Sequence, residues 1–322
     1  MKLKVLVTAA ILATASAVGL GAVAYPTKTI TIVVPFPAGG ASDTTARLMA
    51  EKMQEILKQP VVVENKPGAT GAIGATGVAQ ATPDGYTLLV ASIGTYAVNP
   101  FLQKGLKYDP QKDFDLITVA VRTPNVLVAS PAFPVKNAKE LVGYMKANPD
   151  KVTFASSGAG SSDHLTAALY MQATGTKGIH VPYKGGAPAI ADLIGGHVNV
   201  SFQNLGAVIG HIKSGKLIAL GITSDKRVPL LPDTPTLDEL GQKGIVVYSW
   251  QAVAAPKNLP KDVRAALSKA AIDALKSPDV TKKFNDLGFE VVANNSDEFA
   301  KFLADELARW KKVIADGNIT AN

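Results

Sequence analysis

The chain has 322 residues, no cysteine, and 33 Lys and Arg against 26 Asp and Glu, for a formal net charge of +7. Without cysteine there is no disulfide framework, thiolate zinc site, thiol nucleophile or lipoprotein attachment point, and a chain this long can bury a sufficient core without cross-links. The basic excess is evenly spread lysine, with arginine only at Arg47, Arg122, Arg227, Arg264 and Arg309; no basic stripe interleaved with aromatics marks a nucleic-acid interface, so no nucleic-acid partner is expected.

Lys2 and Lys4 followed by the apolar, alanine-rich run Val5 to Val23 and the small-residue exit Ala22-Val23-Ala24 read as a secretory signal peptide, residues 1–24, cleaved after Ala24. Its loss lowers the net charge from +7 to +5. No later stretch approaches the roughly 20 uninterrupted apolar residues that a spanning helix needs. A soluble periplasmic product is expected, whose mild positive field would help collect anions.

The mature chain opens on a strand pattern, Thr29 to Val34, then Pro35-Phe36-Pro37-Ala38-Gly39-Gly40-Ala41-Ser42-Asp43, then a helical apolar face of Met49, Met53, Ile56 and Leu57. A strand, a glycine turn and a new helix start gather unpaired N–H groups at the positive end of a helix dipole, which suits a carboxylate; the same pattern also describes a plain βα turn. Asp43 either touches ligand or caps the first turn. Val61 to Val63 is a second strand, and Tyr86 to Val90 a third after the turn Pro83-Asp84-Gly85. Between them, Gly68, Gly71 and Gly74 have the spacing G-x-x-G-x-x-G, which is not the dinucleotide fingerprint. If the strands are parallel, the polar exit Ser92 to Thr95 lies at the rim of the first loop.

The same grammar restarts in the middle. Val126 to Ala129 reads as a strand, Asn137 with Glu140 as a helix start, and Lys151 to Ala155 as another strand. That strand enters Ser156-Ser157-Gly158-Ala159-Gly160-Ser161-Ser162-Asp163-His164, followed by a helix with Leu165, Ala168, Leu169 and Gln172 on one face and Gly175 as its stop. Two strand–glycine-loop–helix units in separate α/β layers suit a clamshell. Strands follow at 178–182, 197–202 and 217–222, with a helix at 187–194; the Tyr183 to Gly186 turn and the Gln203-Asn204 exit are polar ends facing the expected cleft. Trp250 to Pro256 reads as a strand crossing back, with Trp250 as interdomain core or cleft lining. Helices at 260–276, 278–287 and 296–315 and a short strand at 289–292 complete the chain, with Asp262 and Ser296 near two helix starts.

Catalytic and metal motifs are weak. Ser161, Asp163 and His164 lie together in one loop, whereas triads are assembled from separated loops, and the elbow G-x-S-x-G is absent from that loop; an exported serine hydrolase using 156–164 stays as the alternative. Gly210 to Lys216 matches GxxxxGK, but Leu217 stands where Ser or Thr would hold magnesium. His164, His180, His197 and His211 show no metal-ligand spacing, and Lys184 reads as a solvated turn lysine. No metal and no cofactor are expected.

Taken in order, Tyr25-Pro26-Thr27-Lys28, Val34 to Gly40 with Asp43, Glu64 to Gly68, Thr82 to Leu88, Gly158 to Ser161 with His164-Leu165, and Val181 to Gly186 form an ordered set along the whole mature chain. By this set the chain resembles the Bug family, the substrate-binding receptors of tripartite tricarboxylate transporters. The resemblance implies an α/β periplasmic binding protein of type II with two lobes, each a mixed sheet flanked by helices, joined by two crossing strands. Lobe one would be 25–120 plus 253–322 and lobe two 121–252. It implies a non-enzymatic monomer that binds a small organic acid (a mono-, di- or tricarboxylate, aromatic acids included) and passes it to one large and one small membrane subunit; a ligand-binding partner of a membrane sensor stays as a further alternative. By the same resemblance, the carboxylate is gripped through backbone amides and ordered waters by Pro37, Ala38, Gly39 and Gly40 on one lobe and Ser156, Ser157, Gly158, Gly160 and Ser161 on the other. Asp43, Thr95, His164, Tyr183, Gln203 and Asn204 are further candidates. Relatives often carry aspartate at position 203, so Gln203 is expected to alter preference for ligands bearing an amino group.

Overall fold

A computed structural model describes residues 25–320; the signal-peptide reading falls outside them. In chain order the elements are β1 (Ile30–Val34), α1 (Ala41–Leu57), β2 (Val61–Asn65), α2 (Ala72–Ala79), β3 (Thr87–Ser92), α3 (Asn99–Leu102), β4 (Phe114–Ala129) and α4 (Ala138–Ala147). Next come β5 (Thr153–Ser156), α5 (Ser162–Thr174), β6 (Ile179–Pro182), α6 (Gly186–Ile194), β7 (Val200–Asn204), α7 (Leu205–Lys213) and β8 (Ile218–Ile222). The chain closes with β9 (Tyr248–Pro256), α8 (Lys261–Lys276), α9 (Pro278–Asp286), β10 (Glu290–Val291) and α10 (Ser296–Asp316). A π-helical turn, Gly94–Val98, joins β3 to α3.

Two mixed sheets, one per lobe, share the long strand β4. In lobe one, β2, β1 and β3 run parallel, and β9 pairs antiparallel with both β3 and β4. The last residue of β4 in that ladder is Pro124, opposite Tyr248. At Asn125, opposite Asn204, β4 joins lobe two, where β7 and β8 pair with it antiparallel and β5 runs parallel to β7 and β6. β4 therefore begins at Phe114, twelve residues before the strand read from the sequence at Val126. The sequence signal was masked because β4 is covered on both faces: all but one of its residues are buried, so its polar members Asp115, Thr118, Thr123 and Asn125 interrupt any simple alternation.

Alternation works where it is present. Ile30, Ile32 and Val34 of β1 enter one core with Met49 and Met53 of α1 and Leu267 and Leu275 of α8, while Val33 enters the core on the opposite face with Tyr96, Trp250 and Phe299. Ile56, expected on the apolar face of α1, is 39% exposed because the buried stripe follows Ala46, Met49, Ala50 and Met53 to the sheet edge and Ile56 lies at its margin. The α10 cap is Asn295, in a reciprocal capping box with Glu298; Ser296 instead donates to the Leu116 carbonyl at 2.6 Å.

The lobes are packed together along α5. Leu165 and Ala168 enter the second lobe-one core, and Gln172 Nε2 donates to the Val313 carbonyl at 3.0 Å. Behind them, the indole N–H groups of Trp250 and Trp310 both donate to Glu306 Oε2, at 2.8 and 2.9 Å. A buried carboxylate thereby ties α10 to the crossing strand β9 and satisfies two indole donors at once.

Candidate functional site

The lobe-one loop leaves β1 at Val34 and enters α1 at Ala41, with Pro37 to Gly40 exposed. Gly39 has φ +85°, a conformation that glycine adopts without penalty. Its N–H donates to Asp43 Oδ2 at 2.8 Å. The buried Asp43 carboxylate also accepts from Arg47 Nε and Asn65 Nδ2, each at 2.9 Å. Burial alone would raise its pKa; the bonds from Arg47, Gly39 and Asn65 outweigh that and hold it below the ordinary aspartate value. Asp43 is thus a brace for the loop. Gly40, at the N-cap, makes no side-chain cap, so the N–H groups of Ala41 and Ser42 lack an intrahelical acceptor. Ser42 Oγ reaches Gln251 Oε1 on β9 at 2.5 Å.

The lobe-two loop repeats this turn. Gly160 has φ +76°, and its N–H donates four residues ahead to His164 Nδ1 at 3.1 Å, as Gly39 does to Asp43. Ser161 caps α5: its Oγ accepts from the His164 N–H at 3.4 Å and donates to the Gly158 carbonyl at 2.5 Å. Asp163 Oδ2 accepts from Ser157 N–H (2.6 Å), Ser157 Oγ (2.7 Å) and Gln203 Nε2 (3.2 Å). No cation joins these partners, and burial pushes the Asp163 carboxyl above its ordinary value against the lowering effect of its hydrogen bonds. The imidazole of His164 stacks on that of His180, centroids 3.6 Å apart and planes within 2°. His180 Nε2 lies 2.6 Å from Ser156 Oγ. Burial, then the neighbouring His180, pushes His164 down to about 3, and burial lowers His180 as well. His164 is therefore neutral, with its proton on Nε2.

Several expected ligand donors are engaged inside their own loops. The N–H of Ser157 is held by Asp163, that of Gly158 by Ser156 Oγ (3.2 Å), that of Gly160 by His164 and that of Gly39 by Asp43. The first-turn N–H groups of α1 and α5 have no intrahelical acceptor, and of these the His164 N–H is taken by Ser161 Oγ. Thr95 is wholly buried under the lobe-one loop: its carbonyl accepts from Tyr108 Oη at 2.6 Å, and its Oγ1 has no partner among the described residues. A Cβ on Gly71 would lie 2.6 Å from that oxygen and 3.0 Å from Phe36 Cζ. Tyr183 donates to Asp192 at 2.6 Å. Gln203 Oε1 and Ser157 Oγ face Gly186, and Asn204 Nδ2 donates to Asn125 Oδ1 at 2.6 Å.

Across the lobes, the lobe-two loop meets the π-helical turn and α3 that follow β3. A Cβ on Gly160 would lie 3.0 Å from Leu102 Cδ1 and 3.3 Å from Val98 Cγ1, and one on Gly94 would lie 3.9 Å from the Gly160 carbonyl. Sequence reasoning missed Asn65, Asn125 and His180. Each acts across strands, so spacing along the chain carries no signal for it. No Ser–His–Asp relay is assembled: the Ser161 hydroxyl is spent on Gly158, His164 Nδ1 on Gly160, and Asp163 on Ser157 and Gln203. Among the described residues, no group of three His, Asp or Glu is placed to hold a metal ion, and no helix is long and apolar enough to cross a membrane.

The model of the tripartite tricarboxylate transporter family receptor matches residues 45–319. The chain is 38% identical to the protein BugT of Bordetella pertussis over 91% of this chain and 90% of that one. It is similar to a solved R. palustris structure with adipate (34% identity, TM-score 0.84, covering 92% of this chain and 99% of that one). It is similar too to MatC from Rhodopseudomonas palustris with bound malate (34% identity, TM-score 0.80, covering 90% and 100%). With a match along nearly its whole length, the chain belongs to the Bug-type receptor family of tripartite tricarboxylate transporters.

Proposed function

We propose that the chain is an exported, periplasmic solute receptor that closes its two lobes around a small organic carboxylate and delivers it to the large and small membrane subunits of a tripartite tricarboxylate transporter. The observation that carries this reading is the pair of matched turns, each with a left-handed glycine braced four residues ahead at a helix N-terminus. Relatives with adipate and malate bound support the ligand class. A carboxylate held by backbone N–H groups in a closed cleft needs no arginine, because charge-assisted bonds strengthen where water is excluded. In this reading the boundaries of the sequence division, 120/121 and 252/253, fall within β4 and β9, the crossing strands. Pro37, Ala38, Gly39 and Gly40 form one jaw and Ser156 to Ser161 the other; on this reading Asp43 and His164 shape the jaws rather than contact the ligand. The protein acts as a monomer and is not a hydrolase.

A ligand that binds only the folded protein stabilises it by RT ln(1 + [L]/Kd), about 2.7 kcal/mol at a hundredfold excess over Kd. The test is a thermal-shift panel of mono-, di- and tricarboxylates and aromatic acids, run on protein unfolded and refolded to strip carried-over ligand. At least one acid should raise the melting temperature by several degrees; a flat panel sinks the carboxylate reading. Transport is tested separately, by uptake of that acid with and without the membrane subunits, which also distinguishes a transporter receptor from a sensor partner.

A further inference from the structure

Each lobe keeps a buried aspartate behind its loop, and the two sit in different electrical surroundings. Asp43 accepts from Gly39, Arg47 and Asn65, and the Arg47 guanidinium offsets its charge. Asp163, only 3% exposed, gathers three donors on Oδ2: the Ser157 N–H at 2.6 Å, the Ser157 hydroxyl at 2.7 Å and Gln203 Nε2 at 3.2 Å. All three are neutral. Around it, α5 contributes His164 and β6 contributes His180, stacked together and both held neutral by burial. The turn after β6 brings Tyr183, whose hydroxyl goes to Asp192 of α6, and Lys184, exposed to solvent. β7 brings Ser201 and Gln203, β4 brings Asn125, and the facing lobe-one turn brings Val98 and Leu102. Among the described residues no cation pairs with Asp163, and burial holds its carboxyl above the ordinary aspartate value.

The Ser157 N–H and hydroxyl are donors that the lobe-two jaw would offer a ligand, and Asp163 holds both. A ligand carboxylate that reaches Ser157 must share these donors or take them over. Two oxygens bonded to one nitrogen lie no more than about 6 Å apart. Two carboxylates at that spacing, in a site from which water is excluded, do not both stay ionised. A proton on Asp163 resolves the conflict. The neutral acid accepts more weakly than the carboxylate, so the Ser157 donors can turn to the ligand, and no like charge remains behind the bound anion. Lobe one needs no such proton, because Arg47 already offsets Asp43.

We propose that the receptor takes up its carboxylate together with a proton, and that Asp163 is the residue that receives it. This rests on the receptor reading, which puts Ser157 in the lobe-two jaw. The proton passes from solvent to a carboxylate oxygen of Asp163, and no bond of the ligand changes. Because the complex then holds more protons than the free protein, affinity and pH are linked. Below the free-state pKa of Asp163 the group is protonated with or without ligand, and affinity is constant. Above that value affinity falls by up to tenfold per pH unit, and it levels off once pH passes the pKa in the complex.

The test is calorimetry with malate or adipate, whichever the thermal panel shows to bind, from about pH 6 to 7.5, where the ligand carboxyls are mainly ionised. Two buffers of different ionisation enthalpy count the protons taken up. The wild type should take up a substantial fraction of one proton. Asp163→Asn, shaped like the neutral acid and still able to accept from Ser157, should take up none, and its affinity should not vary with pH. Gln203→Met removes one neutral donor from Asp163 and should move the falling part of the affinity curve to higher pH, which a purely structural role does not do. Uptake that is absent from the wild type, or that persists in Asp163→Asn, overturns the proposal; the second result assigns the proton to the stacked histidines. If Asp163→Asn does not fold, the displacement in Gln203→Met decides. In the ligand-free protein, NMR should show the Asp163 carboxyl titrating above the ordinary value of about 3.9, with the Ser157 amide following the same curve; a carboxyl that titrates at or below that value also overturns the proposal. Binding without uptake sinks this proposal alone, whereas a panel in which no acid binds sinks the receptor reading and this with it.

Discussion

The stacked imidazoles of His164 and His180 make acid sensitivity a quantitative test of the lobe-two loop. Both rings are neutral in the folded protein, His164 with its pKa pushed down to about 3 by burial and by His180, and His180 lowered by burial. In the unfolded chain each titrates near the ordinary 6.5. Below that value the unfolded state holds more protons than the folded state, so stability is full above pH 6.5 and is lost as pH falls toward the folded pKa. The His164 proton alone contributes roughly 1.4 kcal/mol per pH unit once it is bound in the unfolded chain, and His180, lowered in the same direction, adds to that slope. For a protein of roughly 5–15 kcal/mol total stability, that slope is large. Urea unfolding between pH 6.5 and 5, above the main carboxylate range, should show it. His164→Asn keeps an acceptor where Nδ1 stood, so Gly160 stays bonded, but removes one titration; its slope should fall by roughly 1.4 kcal/mol per pH unit where the unfolded imidazole is protonated. Asp163, whose pKa is raised, works in the opposite direction and is controlled by repeating the series in Asp163→Asn. A wild-type free energy that is flat from pH 6.5 to 5, or a slope unchanged in His164→Asn, refutes the buried, neutral stack.

Four further outcomes are expected. Gly39→Ala must hold φ +85° with a Cβ and should lose about 1–2 kcal/mol by chemical denaturation. Gly40→Ala meets only the Pro37 carbonyl, at 3.8 Å, so it should melt like wild type yet bind carboxylate at least tenfold more weakly by calorimetry; wild-type affinity would remove Gly40 from the jaw. Asp43→Asn should lose roughly 2 kcal/mol at pH 7, since hydrogen bonds to an ionised group contribute about 1.5–3 kcal/mol each and asparagine retains part of them. Because the Asp43 pKa is depressed, its contribution is present above the unfolded value and lost as pH falls through the folded one, so the deficit should shrink below about pH 4. A deficit independent of pH would assign the loss to shape rather than charge. Glu306→Ala leaves two indole N–H groups buried without a partner and should cost about 3 kcal/mol or more, with a red-shifted tryptophan emission; an unchanged melting temperature would refute the buried role.

Local chemistry was readable in the sequence, and cross-strand chemistry was not. The cap Asn137 with Glu140, the helix stop Gly175 and the two glycine loops each depend on residues within about five positions, and the structure places all of them as expected. β4 escaped notice over its first twelve residues because a strand covered on both faces carries no alternation to detect. The histidines looked scattered because His164 and His180 meet only when β6 pairs in parallel with β5, bringing the strand flanking the loop alongside it. Asp163 was visible, but in a triad that does not form; its partners Ser157 and Gln203 lie six residues back and forty ahead.

The equivalence of the two loops is sharper in structure than in sequence, and its electrostatics carry an argument. Gly39 and Gly160 have nearly the same φ, each two residues before a helix, and each gives its N–H to the side chain four residues on. In lobe one that acceptor is an aspartate, and its charge faces the Arg47 guanidinium. In lobe two it is an imidazole held neutral by burial. An unpaired carboxylate in either position would repel an anionic ligand at a distance where the field is weakly screened. Both solutions keep the brace while limiting negative potential at the rim, one by pairing and the other by neutrality. It follows that Arg47→Leu should harm carboxylate affinity more than stability: the Arg47 side chain is 52% exposed, so its ion pair adds little to folding, while its loss leaves Asp43 unpaired beside the bound anion. Comparable losses in affinity and stability would contradict that argument.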